Sequence, residues 1–203
     1  MTALAQSIGR RVNVQSSVLT DVILILLGSA VMAGLAQVSF RLPYTPVPIS
    51  GQTLGVMLIG ASLGAWRGAA AVLLYLGEGA AGLPVFAEGL SGTVFLTSMP
   101  TTGFLWSFVV AAAVIGLLAQ LSWDRSVGSA LGAMLVGEIL VFALGVSWLA
   151  RHLGVSGEEA LTLGLYPFLL GEVLKLVIAA GLMPAAWKLV GRGDDMALPS
   201  FKR

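Results

Sequence analysis

The stretch YPFLLGEVLKLVIAAGLM, Tyr166–Met183, is apolar except for Glu172 and Lys175. A helix that crosses the roughly 30 Å hydrocarbon core of a bilayer needs about 20 such residues. Backbone groups in oil must find their partners within the segment, so an apolar run of this length reads as a helix. Pro167 suits its first turn, the run reaches about Val190, and Pro184 is a candidate kink in its last third. Glu172 and Lys175 are one turn apart and share a face. A lone Lys or Asp at the bilayer centre costs about 2.5–3.5 kcal/mol, so the two are expected to turn away from lipid. Two readings stay open: a structural ion pair between helices, or a polar ligand site within a bundle.

The rest of the chain repeats that composition. Of 203 residues, 57% are hydrophobic and 10% charged, with a mean hydropathy of +0.95. Soluble domains carry about 25% charged residues, so the solvent of this chain is largely lipid. A formal net charge of +1 argues against nucleic acid, which calls for a basic face. Cysteine is absent, which removes disulfides and thiol chemistry.

Six apolar spans are expected, at about Val18–Phe40, Ile49–Leu63, Gly68–Ala81, Thr101–Leu121, Val127–Ala150 and Pro167–Val190. The first is too long for the core of a cleaved signal peptide and reads as a retained helix. A Pro-rich break, Arg41–Pro48, follows it. Gly82–Pro100 is a long Gly-, Ser- and Thr-rich connection. Ser156-Gly157-Glu158-Glu159 has the form of a capping box and opens a short amphipathic helix. No internal repeat is visible, which disfavours an inverted-repeat transporter.

Lys and Arg set the orientation. With the N-terminus inside, cytoplasmic segments hold Arg10, Arg11, Arg67, Arg125, Lys188, Arg192, Lys202 and Arg203, while outer ones hold only Arg41 and Arg151. The positive-inside rule then places both termini in the cytoplasm. The expected organisation is an all-α integral membrane bundle: a cytoplasmic segment 1–16, a six-helix membrane domain 17–191 and a cytoplasmic tail 192–203. Trp66, Trp123, Trp148 and Trp187 fall near span ends, where interfacial aromatics sit.

Other residues invite a role. Glu78, at the end of the third span, is expected near the external face like Glu172; it either joins the same pocket or sits at the wet interface. Glu138 is expected nearer the cytoplasmic side, in a structural bond or a partner contact. Ser29 with Ala33, and Ala30 with Gly34, are offset small-residue pairs that suit either internal packing or docking to another membrane protein. Gly60-Ala61-Ser62-Leu63-Gly64 matches the nucleophile-elbow pattern but lacks its strand-to-helix context, and the only histidine, His152, is expected across the membrane. There is no P-loop and no metal-ligand motif. No enzyme, cofactor or metal is expected.

Several ordered motifs carry a family resemblance. They are Pro43-Tyr44-Thr45-Pro46-Val47-Pro48-Ile49-Ser50-Gly51-Gln52-Thr53-Leu54-Gly55-Val56, Gly64-Ala65-Trp66-Arg67-Gly68-Ala69, Leu74-Tyr75-Leu76 and Gly79–Ala87. Pro100-Thr101-Thr102-Gly103-Phe104-Leu105 and Pro167-Phe168-Leu169-Leu170-Gly171-Glu172-Val173-Leu174-Lys175 complete the set. Together they resemble the BioY family, the biotin-specific S components of energy-coupling factor (ECF) transporters, from about Asp21 to Val190. Glu172 stands where many members carry Asp, and Thr102 where Gly is common.

The resemblance implies a six-helix subunit of a prokaryotic plasma membrane that captures biotin from outside. Its implied partners are an ECF transmembrane scaffold protein and a pair of ABC-type ATPases. It also implies that Glu172 and Lys175 contact biotin. The ureido ring offers two N–H donors and one carbonyl, which Glu172 or Glu78 and Lys175 can complement. Tyr75, Phe86 and Trp148 are candidates to pack the bicycle and valeryl chain, with Gln52 and Thr101 as further polar candidates. For the carboxylate, Arg41, loop hydroxyls and backbone N–H groups all stay open. A self-sufficient proton-coupled transporter, relaying through Glu172, Lys175 and Glu138, is the main alternative. An intramembrane enzyme or a purely structural subunit is the third.

Overall fold

A computed structural model describes residues 3–5, 7 and 18–195 of the protein, and over 190–195 the backbone alone. Arg10, Arg11, Lys202 and Arg203, on which the expected orientation partly rests, lie outside the described residues, as does the side chain of Arg192.

Eight α-helices carry the described fold: α1 Val18–Gln37, α2 Gln52–Leu63, α3 Ala65–Ala80, α4 Val94–Thr97, α5 Thr102–Gln120, α6 Val127–Leu153, α7 Gly157–Gly164 and α8 Leu169–Asp195. Four of them, α1, α5, α6 and the Leu169–Leu189 part of α8, are long and apolar enough to cross a membrane. α2 and α3 are shorter, at 12 and 16 residues, or about 18 and 24 Å at 1.5 Å per residue. α3 begins at Ala65, three residues before the expected Gly68, because Gly64 turns the chain with φ +85° and α3 starts at once. Ala3 and Leu4 are buried, with Ala3 beside Gly64.

The outer helices expose many apolar side chains, whereas α2 exposes no large one. Val22, Ile23, Leu26, Leu27 and Val31 of α1 are exposed, as are Leu170, Val173, Leu174 and Val177 of α8. Such faces belong in hydrocarbon. α2 is almost wholly buried, between α1, α3, α5 and α8. Glycine lets it approach: a Cβ on Gly60 would lie 2.8 Å from the Ala112 carbonyl oxygen of α5. Small-residue contact of this kind substitutes for the hydrophobic drive that lipid does not supply.

Two expected boundaries shift for one reason. The first span ends at Gln37 rather than Phe40, and the second begins at Gln52 rather than Ile49. Strands β1 Ser39–Phe40 and β2 Ile49–Ser50 pair there antiparallel, Ser39 opposite Ser50 and Phe40 opposite Ile49. The hairpin closes the Pro-rich break. The connection 82–100 also holds structure, a 3₁₀ turn at Ala87–Gly89 and helix α4. Ser156 caps α7, its Oγ accepting from the Glu159 N–H at 3.2 Å. α8 continues through Pro184 and past 192, so the start of the expected tail is helical.

Charged residues near the helix ends are tied down. Arg67 is buried and pairs with Asp21 of α1 at 2.6 Å. The Trp187 indole of α8 donates to buried Asp124, and the Arg125 guanidinium stacks 3.3 Å over the same ring.

A polar-ended chamber among α2, α5 and α8

The Pro-rich break cannot continue α1, and three side chains hold it over the bundle. Thr45 Oγ1 donates to the Leu163 carbonyl at 2.6 Å and accepts from the Val47 N–H at 3.2 Å. Ser50 Oγ donates to Gln52 Oε1 at 2.8 Å, at the entrance to α2. From the other side, Thr102 opens α5. Its hydroxyl donates to the Phe95 carbonyl at 2.9 Å and accepts from the Met99 N–H at 3.0 Å. The position where the resemblance favours glycine is thus used here as a hydrogen-bonded brace.

Between these two loops lie two adjoining chambers. The inner one, about 50 Å³, is walled by Ser50, Gln52, Thr53, Thr101 and Glu172 and by the rings of Phe104, Phe108, Phe142 and Phe168. The outer one, about 220 Å³, is walled mainly by Pro46, Phe86, Leu90, Phe95 and Met99, with Arg41 at its edge. Pro48, Gln52, Thr101 and Leu105 line both.

Glu172 is buried at the inner wall and fully engaged on its far side. Its Oε1 accepts from Lys175 Nζ at 2.7 Å and its Oε2 from Thr53 Oγ1 at 2.7 Å. Lys175 Nζ also donates to the Ser50 carbonyl at 2.6 Å and to Thr53 Oγ1 at 3.0 Å. An ammonium has three N–H donors, and these three acceptors use them all. Lys175 therefore stands behind the wall, fixing Ser50, Thr53 and Glu172, and is not itself a lining residue. The pair lies within one helix, i to i+3, and locks that helix to α2. A carboxylate can accept more than these two bonds, and buried Glu138 lies beside Glu172.

The remaining candidate residues divide. Gln52, Thr101 and Phe86 line the chambers. Tyr75 is buried behind them, where its hydroxyl accepts from Gln52 Nε2 at 2.7 Å and its ring meets Phe86 edge-on at 5.5 Å. Trp148 is also outside the lining. Its indole donates to the Met99 carbonyl at 2.9 Å and packs against Gly103. Glu78 is bonded to Ser29 Oγ at 2.5 Å, tying α3 to α1 away from the chambers. Ser29 is buried and Ala33 half-buried, whereas Ala30 and Gly34 are exposed. Glu138 is buried, and with Glu172 it lines an apolar groove of about 510 Å³ between α6 and α8. Its Oε2 has no hydrogen-bond partner among the described residues.

Thr53, Ser50 and the four phenylalanines are wall residues that the sequence did not single out. Thr53 and Ser50 sit inside a quoted motif, and Phe104 and Phe108 are four apart on α5, one face of a helix.

An apolar helical bundle that holds a carboxylate-bearing, aromatic-walled chamber near a loop-covered end is a membrane-embedded small-molecule binding protein. Comparison with known proteins gives the lineage. The sequence model of the BioY family matches residues 7–192, and the chain belongs to that family. The biotin transporter BioY of Rhizobium etli is 38% identical over 168 residues, 79% of this chain and 89% of that protein. The biotin transporter BioY of Rhodobacter capsulatus is 42% identical over 142 residues, 65% of this chain and 74% of that protein. Among solved structures, the S-component for biotin from an ECF-type ABC transporter has the same fold. Its TM-score is 0.76 at 24% identity, covering 84% of this chain and 92% of that one.

Proposed function

We propose that this chain is the substrate-capture subunit for biotin uptake, an S component working in the plasma membrane of a prokaryote. The observation that carries the reading is the Glu172 carboxylate, buried on the chamber wall of a BioY-family chain and braced by Lys175 and Thr53. A ureido ring brings two N–H donors to such a carboxylate, and a bond to an ionised acceptor is about twice as strong as a neutral one. The ureido carbonyl meets the second N–H of Gln52 Nε2, whose first is given to Tyr75. Phe86, Leu105 and the phenylalanine walls receive the bicycle and the chain, and Thr101 adds a polar contact. Lys175, Tyr75 and Trp148 act from behind, by positioning Glu172, Gln52 and the Met99 loop.

Six spans are proposed, with α2 and α3 crossing as the two short ones and both termini cytoplasmic. The sequence count of Arg10, Arg11, Arg67, Arg125, Lys188, Arg192, Lys202 and Arg203 on one side against Arg41 and Arg151 on the other supports that orientation. The chain has no P-loop, so energy is supplied by a pair of ABC-type ATPases through an ECF scaffold protein. Ala30 and Gly34, exposed on α1, form the docking notch for that scaffold.

Calorimetry of the purified protein in detergent tests the reading, with riboflavin and thiamine as controls. Heat of binding with biotin alone is expected. Binding of neither biotin nor its close analogues would end the proposal.

A further inference from the structure

The two chambers form a path with chemistry at each end and little between. Glu172 and Gln52 stand at the inner end, then Pro46, Phe86, Leu90, Phe95 and Met99 line an apolar stretch. Arg41 borders the outer end, and among the described residues lining either chamber it is the only lysine or arginine. A ligand with a hydrogen-bonding head, a short hydrocarbon chain and a terminal anion matches that sequence of surfaces.

Arg41 is not idle in the empty protein. Its guanidinium pairs with the Glu88 carboxylate at 2.6 Å, and its side chain is 55% exposed. Glu88 sits in the 3₁₀ turn with φ +63°, a left-handed conformation uncommon for a non-glycine residue. The backbone is held there by its own N–H, which donates to Ser39 Oγ at 2.9 Å, and by the Phe86 N–H bonded to the Leu90 carbonyl at 3.0 Å. Phe86 and Leu90 are chamber walls, so the turn that presents Glu88 is part of the ligand's enclosure. A solvent-exposed pair of this kind is weak, near 0–1 kcal/mol. Exchanging one carboxylate for another on the same guanidinium is therefore close to neutral, in contrast to the buried Glu172–Lys175 pair.

We propose that Arg41 is the anchor for the ligand's free carboxylate, and that Glu88 is an internal stand-in which the ligand displaces on binding. The inference rests on the biotin reading above and adds to it a basis for specificity. The protein selects the free acid over neutral derivatives of the same ring system. Glu88 lowers affinity for the anion by competing for Arg41.

The test is calorimetry with biotin and biotinamide on the unmodified protein, Arg41→Gln and Glu88→Gln. The unmodified protein is expected to prefer biotin by about threefold, since the ligand's carboxylate replaces that of Glu88 on an exposed guanidinium at little net gain. In Arg41→Gln that preference collapses, while biotinamide affinity stays as before and reports an intact fold. In Glu88→Gln the preference for biotin widens by about threefold, as expected for loss of a weak exposed competitor. An unchanged biotin-to-biotinamide ratio in Arg41→Gln would overturn the anchor, and a narrowed ratio in Glu88→Gln would overturn the competition. Absence of biotin binding by the unmodified protein would instead remove the functional reading itself.

Discussion

Thr53 of α2 donates its hydroxyl to Glu172 of α8 at 2.7 Å, across 119 residues of chain. That bond and the three from Lys175 bind the start of α2 to the start of α8. The carboxylate is thereby held on the chamber wall before any ligand arrives. Pre-ordering of this kind lowers the cost of binding, because the groups need not be immobilised afterwards.

Lys175→Ala should weaken biotin binding by roughly tenfold or more, through Glu172 rather than through a lost ligand contact. Without its counter-charge the carboxylate is stranded in a buried site, which costs about 3–5 kcal/mol for a broken buried pair. The melting temperature in detergent should fall as well. The double variant Glu172→Gln/Lys175→Met removes both charges and should recover most of the stability without recovering the affinity. Full affinity in the double variant would show that the carboxylate is not a ligand contact.

Gly79→Ala should disturb the outer chamber. A Cβ at that position would lie 2.1 Å from the Phe86 ring, which has Tyr75 and Phe95 against its other sides. Overpacking a filled site costs about 1–3 kcal/mol, and the ring has open volume only toward the chamber. Biotin affinity should drop about tenfold or more, measured by calorimetry beside a thermal melt. A ligand site elsewhere in the bundle would leave affinity untouched.

Asp21→Asn separates stability from binding. Arg67 is buried, and Asp21 is its partner at 2.6 and 2.8 Å. Loss of the charge leaves the guanidinium incompletely satisfied, at about 1–3 kcal/mol. The contact joins the N-terminal ends of α1 and α3, sixteen residues or about 24 Å down α1 from the Gln37 end, where the β1–β2 hairpin and the chamber sit. A lower melting temperature with biotin affinity within about twofold is expected.

What could be read from the sequence follows the reach of each force. Helices along Thr102–Gln120 and Val127–Leu153 were legible because lipid demands a long apolar run, and such runs are local. The ends at Gln37 and Gln52 were not, since β1 and β2 are made by pairing across a Pro-rich break. Glu172 stood out as a charge in oil. That Lys175 spends its three N–H groups on Ser50, Thr53 and Glu172 depends on contacts up to 125 residues away. Trp148 and Tyr75 looked like ligand-packing aromatics by type alone. Their polar tips are committed to Met99 and to Gln52, a choice only the packed structure makes.

The two small-residue pairs of α1 make a last prediction. Ser29 and Ala33 point inward, with Ser29 fixed to Glu78 at 2.5 Å, whereas Ala30 and Gly34 point outward. A Cβ on Gly34 would meet nothing within 4 Å, so Gly34→Leu adds bulk without internal clash. Leucine is also a better helix former than glycine, by about 0.8–1.0 kcal/mol or slightly less. The variant should fold, melt no lower than the unmodified protein and bind biotin normally. If this face docks the scaffold, the added side chain holds the two backbones apart and close small-residue packing is lost. Co-purification with the scaffold protein and biotin uptake by cells should then fall together, at unchanged biotin affinity. Intact co-purification of Gly34→Leu would move the docking surface off α1.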